Sequence, residues 1–170
     1  MRGIGPLNEM LDILEDEDGP YFMLYPLDAV AGQAYWGTHY PVVIEEHDAG
    51  FTATVPSLPD LDATAKKRDE VKRRLADAIK AYLHRTVPHI SEYIVERIPD
   101  HGDGDAWIDP FGVAVWVLIG SLEAAHADAK QTAEDYDIPL DAVEAARAYY
   151  LLNRPLIDAR RAANRARSFA

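Results

Sequence analysis

The feature that most constrains the fold is a change of hydrophobic period within residues 40–85. Residues 51–55 alternate apolar side chains with threonines, which is the period of a half-buried strand. A β-branched run at 42–44 precedes them, and 47–50 between the two runs predicts a hairpin turn. Over 69–85 the apolar residues recur at helical spacing instead, which predicts an amphipathic helix with an aspartate as its N-cap. The apolar stripe of that helix consists of Val71, Leu75, Ala78, Ile79, Tyr82 and Leu83.

Two further short strands complete the first predicted domain, residues 40–98. Residues 61–65 can form a third strand after a proline-containing turn, and 92–98 predict a fourth strand after the helix. The order β-β-β-α-β predicts one sheet that is covered on one face by one helix.

A polar, glycine-rich connector at 99–106 predicts the domain boundary. Beyond it, residues 113–122, 128–136 and a segment starting near Pro139 have helical patterns, and Pro155 is expected to kink or restart the last helix. A short helix, a tight turn and a longer helix are the outline of a helix-turn-helix. The expected fold class is therefore α+β, with a sheet domain followed by an all-α helix-turn-helix domain.

Residues 1–39 are predicted to be an N-terminal extension. Leucine and methionine side chains recur at helical spacing over 7–18, which predicts a short amphipathic helix. This helix would end in the acidic run 15–18, whose charges oppose the helix dipole. Residues 19–39 are rich in aromatic side chains without a clear period, so the sequence assigns them no element.

The formal net charge of −12 is distributed unevenly along the chain. Residues 1–63 hold one basic and twelve acidic side chains, whereas 64–87 hold eight basic and three acidic ones. Residues 88–138 hold two basic and eleven acidic side chains, and 139–170 hold six arginines and three acids. Acidic stretches suit a basic partner and basic stretches suit phosphates, although solvated helix faces explain each block taken alone equally well.

Residues 40–98 resemble the HicB family of antitoxins. The resemblance rests on Tyr-Pro-Val-Val-Ile-Glu at 40–45, Gly-Phe at 50–51, Val-Pro-Ser-Leu-Pro at 55–59 and Ala-Ile-Lys-Ala-Tyr-Leu at 78–83. It implies a degenerate ribonuclease-H-like sheet that binds and blocks a HicA-type toxin, which cuts messenger RNA. The carboxylates that follow the Leu-Pro turn, Asp60 and Asp62, are then implied toxin contacts.

Residues 107–170 resemble small helical antitoxins of a helix-turn-helix type that accompany PIN-like ribonucleases. The matching stretches are Val-Trp-Val-Leu-Ile at 115–119, Ala-Glu-Asp-Tyr-Asp-Ile-Pro at 133–139, Ala-Val-Glu-Ala-Ala at 142–146 and Ala-Tyr-Tyr at 148–150. Both resemblances imply an antitoxin of a type II toxin–antitoxin system that neutralises a ribonuclease and represses its own operon. They leave the toxin open. The alternatives are a PIN-like ribonuclease bound by the C-terminal domain and a transcription regulator whose β domain senses a ligand.

Two charged sets are the candidate binding residues. An acidic strip can occupy the RNA-binding surface of a basic toxin, and the arginines of the last helices can contact a phosphate backbone. The start of the second helix of the helix-turn-helix holds Asp141 and Glu144, which phosphates repel, so the later arginines are expected to make the contacts. The predicted toxin-binding strip is Glu15, Asp16, Glu17 and Asp18. The predicted DNA-binding set is Arg147, Arg154, Arg160, Arg161, Arg165 and Arg167.

Neither catalysis nor a cofactor is expected. Glu45 and Glu46 are adjacent and so point to opposite faces of a strand, which does not suit the two-metal chemistry of ribonuclease H. The six histidines lack zinc spacing, the loop around His101, Asp103 and Asp105 lacks the bidentate acid of a calcium site, and no phosphate-binding glycine loop occurs. The absence of cysteine fits a reducing cytoplasm. We therefore expect a non-enzymatic cytoplasmic protein, without metal, cofactor or membrane span, that binds a toxin and operator DNA as a homo-oligomer (a dimer or tetramer).

Overall fold

The computed structural model describes residues 3–29, 37–97 and 105–169. The chain divides into two compact units, an N-terminal unit of Ile4–Arg85 and a C-terminal unit of Thr86–Ala170 together with Met1–Gly3. Both contain helices and antiparallel strands, so the fold is mixed α+β, as the sequence predicts. Among the described residues, no helix combines the length and the apolar character that a bilayer span requires.

The N-terminal unit contains two three-stranded antiparallel sheets and the first part of a long helix. The first sheet has the order β1-β2-β3 and the second has the order β4-β5-β6. The elements are α1 (Pro6–Glu9), β1 (Leu14–Asp16), β2 (Gly19–Leu24), β3 (Thr38–Pro41), β4 (Val43–His47), β5 (Gly50–Val55), β6 (Leu58–Ala65) and α2 (Arg68–Tyr93).

The core of this unit confirms the two hydrophobic periods read from the sequence. In β2 and β3 the facing residues Phe22 and Tyr40 are fully buried, and their rings stack with centroids 5.2 Å apart. In β5 the alternation places Ala53 and Val55 in the core. The apolar stripe of α2 is buried in the same unit, and its fully buried members are Val71, Leu75, Ile79 and Leu83. Helix α2 continues past its expected end near Arg85 and contains Pro88. The continuation is favoured because Val87 and Ile90, which follow Arg85, are buried and extend the apolar stripe.

The predicted helix at 7–18 is wrong. Helix α1 is one turn long, and the side chain of Asn8 donates to the carbonyl of Tyr25 and accepts from its N–H, at 2.9 and 3.0 Å. The acidic run lies instead in a hairpin, with β1 paired to β2 across a turn at Glu17 and Asp18. The carboxylate of Asp16 accepts the N–H of Asp18 at 2.9 Å, and this turn bond stabilises a conformation that competes with the helix.

The C-terminal unit contains a third antiparallel sheet and four helices. Its elements after the end of α2 are β7 (Ile94–Arg97), β8 (Asp105–Ile108), β9 (Val113–Ala114), α3 (Val115–Ala124), α4 (Ala129–Tyr136), α5 (Leu140–Leu152) and α6 (Arg154–Ser168). Two helix boundaries follow the sequence closely. The carboxylate of Asp128 caps α4 by accepting the N–H of Gln131 at 3.0 Å. A new helix, α6, begins at Arg154 with Pro155 in its first turn.

The predicted fourth strand does not join the sheet of the first three. The order β-β-β-α-β is present along the chain, but β7 pairs with β8 in the third sheet, with Arg97 opposite Asp105. The predicted linker at 99–106 therefore joins two paired strands, and 105–106 already belong to β8; residues 98–104 lie outside the described residues. The division into units falls between Arg85 and Thr86 instead, and the C-terminal unit is not all-α.

Candidate functional site

The second sheet of the N-terminal unit exposes one of its faces. Residues paired across neighbouring strands have side chains on the same face of a sheet. The register pairs Val43 with Thr54 and Thr54 with Asp62, and it pairs Glu45 with Thr52 and Thr52 with Thr64. We call this surface the acidic face; it consists of Val43, Glu45, His47, Thr52, Thr54, Asp62 and Thr64. The opposite face carries Ala53, which is fully buried in the core.

Exposure and charge on the acidic face suit a docking surface. Glu45 and Asp62 are exposed, and Val43 keeps 43% of its surface exposed although it is apolar. The ring nitrogen Nε2 of His47 lies 2.8 Å from the hydroxyl oxygen of Thr52, which fixes one edge of the face. No lysine or arginine occurs between residues 3 and 63, so the three strands contribute carboxylates without a compensating cation of their own. The face is a neutral centre of threonines and valine flanked by negative charge.

The implied toxin contacts Asp60 and Asp62 both lie in β6 and are both exposed. Asp62 belongs to the acidic face through its pairing with Thr54. The sequence interpretation missed the neighbouring residues Val43 and Glu45. The alternation of β5 is the signal that identifies them, because the strand paired with it must share its two faces. Glu46 is opposite Phe51 on the other face, as its position next to Glu45 predicts.

The predicted acidic strip separates into one internal ion pair and an exposed turn. The carboxylate of Glu15 accepts hydrogen bonds from the guanidinium of Arg68, and the ammonium of Lys72 lies 3.7 Å away. The hydrogen bond from Arg68 lowers the pKa of Glu15. Asp16, Glu17 and Asp18 remain exposed at the hairpin. The ion pairs of Glu15 therefore link β1 to α2. The other three acids of the predicted strip are exposed to solvent.

The pKa shift of Glu15 predicts a pH-dependent contribution to stability. A lowered pKa in the folded state stabilises the fold above the ordinary glutamate range, and this contribution is lost as the pH falls through the folded-state pKa. Glu15→Gln should thus lower the free energy of unfolding at neutral pH by less than about 1 kcal/mol, since the pair is partly exposed. Urea denaturation should show no difference from wild type well below the glutamate range.

A matched control for this prediction is Glu17→Gln, which alters an exposed acid of the same turn that makes no ion pair within the described segments. This control should match wild type at both pH values. An equal loss from Glu15→Gln at both pH values would contradict the role of the ion pair.

The six arginines predicted to bind DNA do not form one surface. Arg147 is only 3% exposed and lies in the core of the C-terminal unit. Three others make ion pairs within the unit: Arg154 with Asp158 at 3.4 Å, Arg160 with Asp105 at 2.7 Å and Arg161 with Glu123 at 2.5 Å. Arg165 and Arg167 are exposed, and in the part of the chain that the structure describes they make no ion pair. Only these two of the set are available to phosphates in this conformation.

The predicted second helix of the helix-turn-helix is mostly buried. Helices α4 and α5 are 8 and 13 residues long, in the predicted order of a short helix and a longer one, and the turn between them contains Asp137 in a left-handed conformation with φ of 52°. Nine of the thirteen residues of α5 are buried. Its exposed start carries Leu140 and Asp141, which repels phosphate. Burial of α5 thus stabilises the unit and leaves little of the helix to read a groove.

Two tyrosines connect α5 to its neighbours. The hydroxyl of Tyr149 donates to Glu96 of β7 at 2.8 Å, and the hydroxyl of Tyr150 donates to Asp158 of α6 at 3.0 Å. Burial raises the pKa of both tyrosines, and the neighbouring carboxylates add to the effect. Both hydroxyls therefore stay protonated and act as structural donors.

Other basic residues are better exposed than most of the predicted set. In the segment before α2 and along it, Lys66, Lys67 and Arg73 are exposed and make no ion pair with any described residue. Arg74 is held by Glu70 at 2.6 Å. Arg85 is also exposed and lies 5.5 Å from the ring centroid of Tyr82, so the basic block that the sequence placed at 64–87 retains four cations available to an external anion.

Over residues 3–29, 37–97 and 105–169, no three His, Asp or Glu side chains are grouped as a metal site would need. The suggested cation loop includes His101 and Asp103, which lie outside the described residues, while Asp105 is bound by Arg160. Comparisons with protein-family models, with curated proteins and with solved structures give no significant match for this chain.

Proposed function

We propose that this chain is the antitoxin of a type II toxin–antitoxin system, and that its N-terminal unit neutralises a ribonuclease by binding it through the acidic face. The observation that carries the proposal is the exposed sheet face built around Glu45 and Asp62, whose three strands contain no lysine or arginine. The guanidinium of Arg74 in α2 reaches only the end of this face, where it donates to the carbonyl of Thr64 at 2.7 Å. A ribonuclease toxin must present a basic surface to hold RNA. A carboxylate-bearing sheet that docks there competes with RNA for the same cations.

The resemblance to HicB antitoxins supports this proposal. In this proposal, the degenerate ribonuclease-H-like part consists of β4, β5, β6 and α2. The first sheet belongs to the same unit and extends that part, so residues 4–29 are not a separate N-terminal extension. The turn acids Asp16, Glu17 and Asp18 then act as a second, outlying contact. Their effect is on the rate of encounter, since charges at an exposed turn steer association more than they hold the complex.

The proposal includes repression of the operon by a homo-oligomer that binds operator DNA. In this proposal the phosphate contacts are made by exposed cations, namely Lys66, Lys67 and Arg73 in one unit and Arg165 and Arg167 in the other. Arg147, Arg154, Arg160 and Arg161 support the fold of the C-terminal unit instead. Each phosphate contact contributes about 0.9 to the slope of log affinity against log salt.

A second candidate is neutralisation of a PIN-like ribonuclease by the C-terminal unit. The exposed acids of α4 and its flanking residues favour it, because the four of them outnumber the single cation of that helix, Lys130. These acids are Asp128, Glu134, Asp135 and Asp137. The two candidates place the toxin on different units and are therefore separable by point variants of the full chain.

Growth rescue distinguishes the two candidates. The chain is co-expressed with the product of the adjacent gene, and survival and copurification are measured. We expect Glu45→Lys with Asp62→Lys to abolish rescue, because both changes place cations against a basic toxin. Glu134→Lys with Asp135→Lys should leave rescue intact. The opposite pattern would transfer toxin binding to the C-terminal unit and overturn the assignment to the acidic face.

A further inference from the structure

A groove lies between α3 and α6 within the C-terminal unit. Its volume is about 350 Å³, which falls in the range of small-molecule sites. Helix α3 contributes Trp116, Gly120 and Ser121, and α6 contributes Arg161, Asn164 and Arg165. The acidic face lies in the other unit, so the groove is separate from the proposed toxin-binding surface and shares only Arg165 with the proposed DNA contacts.

Gly120 forms part of the lining without being required by the fold. Glycine inside a helix is less favourable than alanine, so its presence calls for a reason. A Cβ atom built on Gly120 meets no atom within 4 Å, and its φ is not positive. Neither packing within the chain nor backbone conformation demands a glycine at this position. Its effect is to leave the groove open down to the backbone of α3, where a molecule from outside the chain can approach.

The charges around the groove leave one cation uncompensated. Glu123 binds the guanidinium of Arg161 through two hydrogen bonds of 2.9 and 2.5 Å, and Asp158 lies 3.7 Å from it. Arg165 follows one turn later, is exposed, and has no hydrogen-bond or ion-pair partner among the described residues. The side-chain amide of Asn164 has none within those residues either. Arg165 and Asn164 can therefore both donate to a ligand.

The remaining lining comes from α3 and is mostly apolar. Trp116 is partly exposed at the groove, and Val117 and Ala124 extend the apolar surface beside it. Ser121 is engaged with the hydroxyl of Tyr136 at 2.6 Å, so it contributes shape more than a free donor. An indole next to a guanidinium and an amide combines a surface for a planar ring with donors for an anionic group.

We propose that this groove binds a small planar aromatic anion, with the ring against Trp116 and the anionic group on Arg165 and Asn164. Aromatic carboxylates and nucleoside monophosphates share this chemistry. The experiment below separates the two sources by comparing one representative of each.

The test uses the full chain labelled with ¹⁵N and follows the indole N–H signal of Trp116 by NMR, assigned with Trp116→Phe. The probes are 2-naphthoate, its uncharged analogue 2-naphthamide, and adenosine monophosphate. We expect a saturable shift with at least one anionic probe, and 2-naphthamide should bind about 10-fold more weakly than 2-naphthoate, because a charged hydrogen bond is lost. The tighter of the two anions identifies the source, carboxylate or nucleotide.

Matched variants locate the site. Arg165→Gln should weaken the better anionic probe about 10-fold and remove its advantage over the neutral analogue. Arg167→Gln changes an exposed arginine of the same helix that does not line the groove, and it should leave binding unchanged. Gly120→Leu should abolish binding of every probe by filling the groove. Where Gly120→Leu does not fold, Gly120→Ala provides a milder obstruction at a position that favours alanine.

Either of two results would overturn the proposal. One is the absence of a saturable Trp116 shift with both 2-naphthoate and adenosine monophosphate. The other is an equal loss of affinity from Arg165→Gln and Arg167→Gln, which would indicate unspecific attraction of anions to the end of α6.

Discussion

Arg147→Ala should destabilise the C-terminal unit by about 2–4 kcal/mol, the largest effect expected from any of the six arginines. The side chain is 3% exposed within α5, and its removal takes away both the packing of its aliphatic stem and the partners of its guanidinium. Groups that were paired with the buried charge are then left without it. Chemical denaturation followed by the fluorescence of the tryptophans measures this loss directly.

Arg167→Ala is the matched control for Arg147→Ala. Arg167 has the same side chain in the next helix, but it is exposed and makes no ion pair within the described ranges. Its replacement should change the free energy of unfolding by no more than about 0.5 kcal/mol. Arg147→Ala with wild-type stability and reduced DNA affinity would instead restore Arg147 to the DNA-binding set.

The position of Arg147 was open to prediction from the sequence. Val143, Arg147 and Leu151 are spaced four residues apart, so they share one face of a helix. Since Val143 and Leu151 are buried, that face points into the core and carries Arg147 with it. Arginine charge suggested a surface position, but the phase of the helix decides where the residue lies.

Local patterns predicted the elements that depend on neighbouring residues. The alternation in β5, the stripe of α2, the helix at 128–136 and the new helix at Pro155 all follow from interactions within a few residues. The pairing of β7 with β8 is different, because β8 is four residues long and too short to show a period. Since the sequence did not indicate β8, the predicted fourth strand, which is β7, could only be assigned to the sheet of the first three strands.

The acidic run shows a second limit of local pattern. Leucine spacing over 7–18 satisfies a helical template, but β2 offers β1 a ladder of backbone hydrogen bonds and α2 offers Arg68 to Glu15. These partners lie in other elements, so the spacing of the run itself does not contain them. For the candidate site, the sequence predicted Asp62 through a resemblance, and strand register was needed to add Glu45 and Val43.

The acidic face itself should be sensitive to charge reversal at two positions. Glu45→Lys with Asp62→Lys changes the formal net charge from −12 to −8 and places two cations on the proposed contact surface. Reversal of a charge inside an interface costs several kcal/mol, since an attractive pair becomes a repulsive one. We therefore expect the dissociation constant for the toxin to rise by at least about 100-fold.

Glu46→Lys with Asp48→Lys is the control that isolates the face from the total charge. This variant also has a net charge of −8, and both residues are exposed, but Glu46 faces away from Glu45 and Asp48 lies in the hairpin turn. It should slow association modestly through the weaker overall field, and this slowing should shrink as salt is raised.

The most direct test of the antitoxin assignment is the dissociation constant of the purified ribonuclease partner from wild type and from these two double variants at physiological salt. We expect a loss of at least about 100-fold for Glu45→Lys with Asp62→Lys and of less than about 5-fold for Glu46→Lys with Asp48→Lys. Equal losses in the two variants would show that only net charge matters. Unchanged binding by the first variant would contradict the assignment of the acidic face as the toxin-binding surface.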